Sequence, residues 1–270
     1  MDNFSNVYHD FYDNQVSEYT HEQQRQLGFR EPLPRFTVEI VGVWETVGFQ
    51  KAWMGKDSGE RLELRSTTLH DDVKYAFHAL ALDEERTAFQ PTLWHTPKIS
   101  GDQELLQVWF CGAHTDVGGG KEDPRLSNIP LAWMIAHCMK HNQLSFDIDE
   151  YLFHHPPLVK EKDDIPWATS LGKVNHNSIS RTVQGWIGGT SSRAPLQYKP
   201  NGSEVNITNE VIHESVKDRR LNDWRCPPLR AQDDKSWILT DGQEIFRLEA
   251  IEAEKYMKGR IRAVHVDQQD

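Results

Sequence analysis

Two short apolar runs constrain the fold of this chain more than any other feature of its sequence. The first, FTVEIVGVW, covers residues 36–44, and the second, LLQVWFC, covers residues 105–111. Nearly continuous runs of apolar and β-branched residues are typical of strands that are buried on both faces of a parallel sheet. They predict an α/β fold, in which ligands bind beyond the carboxyl ends of the strands.

Helical patterns occur before, between and after these strands. Residues 71–86 carry apolar side chains on one face and acidic residues in the first turn, which favours an amphipathic helix. Aromatic residues spaced three and four apart predict a helix within residues 1–34. Ser127 is placed to cap a further helix that contains residues 131–140, and four side chains are expected on its inner side: Trp133, Met134, His137 and Cys138.

The second half of the chain has a looser pattern. From about residue 146 onward, proline pairs and glycine-rich turns replace regular apolar periodicity. The charged stretch at residues 247–260 favours a helix. Residues 146–270 are therefore expected to form a loop-rich and helical appendage.

Composition counts against several classes of function. The 30 basic and 41 acidic residues give a net charge of −11, which disfavours binding to a nucleic-acid backbone. The cysteines Cys111, Cys138 and Cys226 have no paired spacing, so we expect a reducing compartment and neither a disulfide framework nor a zinc knuckle. No window approaches the roughly 18 apolar residues of a membrane span, and residues 1–30 have no signal-peptide pattern, so a soluble, cytoplasmic protein is expected.

Ionisable residues follow both predicted strands. Glu45 comes directly after the first strand, and His114 and Asp116 follow the second, ahead of three glycines at residues 118–120. Because the carboxyl ends of parallel strands meet at one sheet edge, Glu45 and His114 are candidates for an orienting acid and a general base. Turns after strands also carry such residues only to satisfy backbone groups, so a structural role is the alternative.

Two other site chemistries are alternatives for these residues and their neighbours. His114 and Asp116 lie two apart, and His137 and His141 have helical spacing, so a metal site is an alternative hypothesis. His137 and His141 are better explained by a position near a helix C-terminus, where a positively charged imidazole is favoured. A phosphate-binding loop is disfavoured, because Lys121 after the glycines is followed by glutamate rather than by serine or threonine.

Five segments carry a resemblance to a known family. In chain order they are GVWETVG (42–48), AFHALALDEERTAFQPTLW (76–94), QVWFCGAHTDVGGG (107–120), LAWMI (131–135) and TNEVIHESVKDR (208–219). Together they resemble the type VI secretion phospholipase-effector-like catalytic family, which has many fungal members. The resemblance covers about residues 1–230 and implies an α/β-hydrolase fold and a serine hydrolase that acts on esters or phospholipids, with no cofactor and no metal.

The resemblance also implies roles for single residues. In this family a Gly-Phe-Ser-Arg-Gly elbow supplies the nucleophile, an acid follows the next strand, and a histidine follows a later one. The acid position, usually aspartate in a D-T-V-G pattern, falls on Glu45, and the histidine falls on His114. Asp116 matches the family pattern as well, and either orients the imidazole or braces the loop.

No Gly-x-Ser-x-Gly elbow occurs in the sequence. The most similar segment, GGTSSR at 188–193, follows both strands. The resemblance therefore implies an N-terminally truncated copy, inactive as written. In it, residues 1–145 are the C-terminal half of the catalytic domain and 146–270 the appendage of the same domain. The alternative is a non-catalytic module that binds a lipid or a protein.

Two further expectations follow from the missing elbow and from the last quoted segment. Without the elbow strand, the strand ending at Trp44 has an unpaired apolar edge, which residues after Thr208 or a partner protein would cover. His213 is expected to be a structural hydrogen-bonding residue rather than a competing base.

Overall fold

The computed structural model describes residues 38–47, 67–70, 72–96, 99, 101, 103–142, 144–150, 167–170, 174, 191–198, 207–220, 229–232, 236–239 and 241–258 of the 270-residue chain. The helix expected within residues 1–34, together with Gly48 and Cys226, lies outside these ranges. The fold is α/β, as the two apolar runs predict.

A seven-stranded sheet forms the centre of the described part. The strands are β1 (Val38–Trp44), β2 (Val73–Ala81), β3 (Glu104–Phe110), β4 (Glu210–His213), β5 (Leu229–Gln232), β6 (Ser236–Leu239) and β7 (Glu244–Leu248). Their spatial order is β1-β2-β3-β4-β7-β6-β5. The pairs from β1 to β4 and the pair β4–β7 are parallel, whereas β7, β6 and β5 form an antiparallel meander.

Four α-helices with both ends in the described residues pack around this sheet, and a short 3₁₀ helix covers Thr87–Phe89. They are α1 (His114–Gly118), α2 (Asn128–Lys140), α3 (Ser215–Arg220) and α4 (Glu252–Lys258). The predicted helix at 131–140 is confirmed as α2, and its four predicted inward side chains are buried. Ser127 is the residue before α2, but its hydroxyl donates to the Pro124 carbonyl at 2.9 Å instead of capping the helix.

Apolar side chains cover both faces of the central strands. Along β3, Val108 and Phe110 face one cluster with Trp133 of α2, whereas Trp109 faces a second cluster with Ile212. Because side chains of β3 enter two buried clusters in alternation, the strand has a nearly continuous apolar sequence. The predicted strand with both faces buried is confirmed for β3.

The helix predicted over residues 71–86 is wrong, because Val73–Ala81 is the strand β2. This strand lies between β1 and β3 and pairs in parallel with both. Its alanine, leucine and histidine residues suit a helix equally well, so the pairing partners on both sides decide its structure.

The sequence reveals only two of the strands, β1 and β3. Four of the missed strands, β4 to β7, lie within residues 210–248, so the region after residue 146 contributes to the sheet as well as loops and helices. Each of these four is only four or five residues long, which is too short for a periodic signal. The helix predicted within 247–260 is present as α4, from residue 252 to residue 258.

Strand β1 occupies one edge of the sheet, and among the described residues only β2 pairs with it. The expectation that it is buried on both faces is wrong: Val38 is 43% and Trp44 36% exposed. Among the described residues after Thr208, no strand pairs with this edge, because β4 to β7 all lie on the far side of β3. A mainly apolar cavity of about 590 Å³ lies between this strand and α2, lined in part by Ile40, Gly42, Trp44, Met134 and Cys138.

Candidate active site

Glu45 and His114 meet at the carboxyl ends of β1 and β3. The Nδ1 atom of His114 lies 3.0 Å from Oε2 of Glu45, although the two residues are 69 positions apart. The glutamate side chain is 1% exposed and the histidine ring is 27% exposed. A buried carboxylate thus holds the inner nitrogen of an imidazole whose outer edge reaches solvent.

The backbone and two donors fix the Glu45 carboxylate. Glu45 has a left-handed φ of 46°, which turns the chain sharply where β1 ends. The Ala81 N–H, at the end of β2, donates to Oε1 at 2.5 Å. The Nη2 group of Arg193 donates to Oε2 at 2.8 Å, so this oxygen has both Arg193 and His114 as partners.

His114 is held by the segment that follows β2. Its backbone N–H donates to Oε2 of Glu84 at 3.2 Å, and Glu84 also binds the Arg86 guanidinium. The guanidinium lies 3.6 Å from the centre of the Phe89 ring, and that ring packs edge-on against the imidazole at 4.9 Å. Within the described residues, Nε2 of His114 makes no hydrogen bond, and the side chain is 27% exposed.

The loop between β3 and α1 is braced by carboxylates rather than by glycines. Oδ2 of Asp83 accepts the Gly112 N–H at 2.6 Å, and Oδ2 of Asp116 accepts the Ala113 N–H at 2.9 Å. The other oxygen of Asp116 forms an ion pair with Lys121. Asp116 therefore braces this loop, whereas the carboxylate that contacts the imidazole belongs to Glu45.

Gly112 is the glycine of this loop that close packing requires. Its φ is 112°, and a Cβ atom there would lie 2.4 Å from Cβ of Asp116. Gly112→Ala is expected to lower the free energy of unfolding by about 2–4 kcal/mol, because it combines a left-handed backbone with a steric overlap. Chemical denaturation measures the loss. Gly118→Ala is the matched control, since Gly118 has no neighbour within 4 Å, and an equal loss in both variants would contradict the explanation.

A neutral histidine lies beneath the Glu45 turn. The Nε2 atom of His78 accepts the Thr46 N–H at 3.3 Å, and Nδ1 faces Oε1 of Gln107 at 3.2 Å. Burial lowers the pKa of His78 to about 4, so the ring is uncharged near neutral pH. An uncharged ring can accept and donate at the same time, which supports the turn without adding a second cation beside Arg193.

Comparison with known families is consistent with this geometry. The family model "T6SS, Phospholipase effector Tle1-like, catalytic domain" matches residues 1–137. The chain belongs to this Tle1-like family. Searches of curated proteins and of solved structures found no significant match. The family's catalytic domain is that of a phospholipase effector, and the match covers both Glu45 and His114.

The other histidines that the sequence offers as site residues do not belong to the Glu45–His114 site. His137 lies in α2 and His141 directly follows it, and both pack against Phe77 of β2, away from the carboxyl ends of β1 and β3. No group of three or more potential metal ligands occurs in the described ranges. His213 is fully buried, with Nδ1 2.8 Å from Ser215 Oγ and Nε2 2.8 Å from Glu254, so it has no surface for a substrate.

Sequence reasoning missed the residues that hold the pair. In the sequence, Arg193 is only the last residue of the segment GGTSSR, and nothing at this loop position signals its contact with Glu45. Asp83 and Glu84 lie in one of the five segments that carry the family resemblance, and the acidic run ahead of Arg86 is the available signal. The described helices of this Tle1-like chain include none with the length and apolar character of a membrane span.

Proposed function

We propose that this chain supplies the acid and the base of a serine ester hydrolase that acts on lipid esters. The observation that carries the proposal is the Glu45–His114 contact: the buried carboxylate lies at Nδ1 of a ring that is 27% exposed, and Nε2 has no hydrogen-bond partner among the described residues. This is the arrangement in which an imidazole accepts a proton from an attacking hydroxyl. Membership of a phospholipase effector family supports a lipid ester as the substrate.

The proposed reaction assigns one task to each residue. A serine hydroxyl attacks the ester carbonyl while Nε2 of His114 takes its proton and then returns it to the leaving alcohol. A water molecule then attacks the acyl-serine, and His114 again takes and returns the proton. Glu45 holds the tautomer in which Nδ1 carries hydrogen and balances the charge of the imidazolium.

The serine is proposed to come from a strand that pairs with the outer edge of β1, which has no partner strand among the described residues. A parallel strand added there would end beside Glu45, because β1, β2 and β3 all run in the same direction. The cavity beside Ile40 and Trp44 offers apolar surface to a helix that follows such a strand. The strand belongs either to an upstream part of the same polypeptide or to a partner protein.

The second candidate function is a non-catalytic module that binds a lipid or a protein. It is favoured by one observation: among the described residues, no serine hydroxyl forms a hydrogen bond with His114.

Ser191 and Ser192 are exposed, and the Ser191 N–H donates to the Glu85 carbonyl at 2.8 Å, so this serine-containing loop passes near the site.

The two candidates differ in their reaction with a fluorophosphonate probe. Residues 1–270 alone should remain unlabelled, whereas the polypeptide or complex that includes a Gly-x-Ser-x-Gly strand should be labelled at that serine. Labelling of residues 1–270 at Ser191 or Ser192 would contradict an external nucleophile. If the serine-containing form is neither labelled nor active on ester substrates, the binding module is the better account. The reading frame upstream of Met1 shows which form exists.

His114→Ala provides the decisive variant in the serine-containing form. Hydrolysis of a phospholipid or of a p-nitrophenyl ester should fall by about 10⁴-fold or more, because the general base is removed. His70→Ala is the matched control, since the His70 side chain is 76% exposed and lies outside the site. Retention of more than a tenth of the activity in His114→Ala would assign the base to another residue.

A further inference from the structure

Arg193 is a buried arginine with an unusual set of partners. The residue is 1% exposed, and its Nη2 lies 2.8 Å from Oε2 of Glu45. Its Nε and Nη1 atoms are buried without a hydrogen-bond partner in the described part of the chain. Because buried donors are seldom left unpaired, some interaction must offset this cost. The contact with Glu45 is the polar interaction that can do so.

The Arg193 contact falls on the oxygen that holds the histidine. Oε2 of Glu45 is 2.8 Å from Nη2 of Arg193 and 3.0 Å from Nδ1 of His114. Oε1 accepts the Ala81 N–H on the other side. A main-chain donor and a guanidinium donor therefore bind opposite oxygens and together define the orientation of the carboxylate.

The loop that carries Arg193 is itself anchored on the sheet. The Leu196 N–H donates to Oε2 of Glu210 at 2.9 Å, and the indole N–H of Trp109 donates to the same oxygen at 2.9 Å. At the other end, the Ser191 N–H donates to the Glu85 carbonyl. Arg193 therefore approaches Glu45 from a segment with fixed points on both sides.

We propose that Arg193 is a positioning residue that holds the Glu45 carboxylate at Nδ1 of His114. Glutamate has one more rotatable bond than aspartate, so more conformational freedom must be restricted to keep Oε2 at the imidazole. Arg193 supplies that restriction and balances the buried negative charge. The expected effect of Arg193 on catalysis rests on the proposed function, whereas its expected effect on the position of the Glu45 carboxylate does not.

Proton exchange at His114 tests the geometric consequence in residues 1–270. In protein labelled with ¹⁵N-histidine, the Nδ1–H signal of His114 is assigned by its loss in His114→Ala. Arg193→Met removes the hydrogen bond from Arg193 to Glu45, so the carboxylate is held less firmly at Nδ1 of His114. The rate at which the Nδ1–H exchanges with water should therefore rise by about tenfold or more. Arg125→Met is the matched control, because Arg125 pairs with Asp123 at the surface, and its exchange rate should equal that of the wild type.

Arg193→Lys keeps the test decisive if Arg193→Met fails to fold. Lysine retains the charge but not the reach of the guanidinium, so an increase of about threefold in the exchange rate is expected. A wild-type exchange rate in either folded variant overturns the proposal. A lower melting temperature with an unchanged exchange rate would show a purely structural role.

Activity separates this inference from the proposed function. In the serine-containing form, Arg193→Met should lower kcat by about 10–100-fold and leave KM within about twofold, because orientation rather than substrate binding is lost. If the serine-containing wild type is inactive, the proposed function fails while the exchange result still stands. If it is active and Arg193→Met retains the wild-type kcat, only the positioning role fails.

Discussion

Replacing Glu45 with alanine is expected to lower the free energy of unfolding by about 3–5 kcal/mol, the usual cost of removing one partner from a buried ion pair. The substitution leaves the Arg193 guanidinium inside the protein without its anionic partner. It also frees the Ala81 N–H at the end of β2 from its acceptor. Urea denaturation followed by circular dichroism measures the change.

Glu39→Ala is the matched control for Glu45→Ala. Glu39 pairs with Lys74 at 2.9 Å on the surface, where its side chain is 41% exposed. Such surface pairs contribute about 0–1 kcal/mol, so the control should remain close to the wild type. The double variant Glu45→Ala/Arg193→Met should recover part of the loss, because it removes both buried charges. A loss below 1 kcal/mol in Glu45→Ala would show that the pair is not buried in solution.

Acidification should destabilise the fold through two buried histidines. Burial is the main cause that lowers the pKa of His137, and of His78, to about 4 from 6.5. Below pH 6.5 the unfolded chain binds protons that the folded chain does not, so stability falls until the folded groups titrate near pH 4. Each histidine should cost about 3 kcal/mol across this window.

His137→Leu isolates the contribution of one of these histidines. Neither ring nitrogen of His137 has a hydrogen-bond partner among the described residues, and the ring packs against Phe77 and Trp133. The difference in unfolding free energy between variant and wild type should therefore change by about 3 kcal/mol between pH 7.5 and pH 4, in favour of the variant. Met139→Leu, on the same helix, removes no titrating group and should parallel the wild type. If the unfolding free energies of His137→Leu and the wild type changed equally between pH 7.5 and pH 4, His137 would bind protons equally well in the folded and unfolded states. That result would contradict the prediction.

The strands differ in how far their sequences predict them. β3 is readable because its side chains enter two apolar clusters in alternation, which produces an unbroken apolar run. β2 is equally buried, yet its alanines and leucines also satisfy a helical pattern, and only pairing with both neighbours selects the strand. β4 to β7 are too short to carry a periodic signal, so their structure depends on partners that are distant in sequence.

By itself, the sequence determined the fold class, the α2 helix and the two strand ends at which an acid and a histidine stand. It could do so because local apolar patterns and the direction of parallel strands are properties of short segments. Only the tertiary structure decided that Asp116 braces a loop, that His213 is enclosed, and that Arg193 reaches Glu45. Those outcomes depend on contacts between segments many residues apart, whose distances and burial no local pattern encodes.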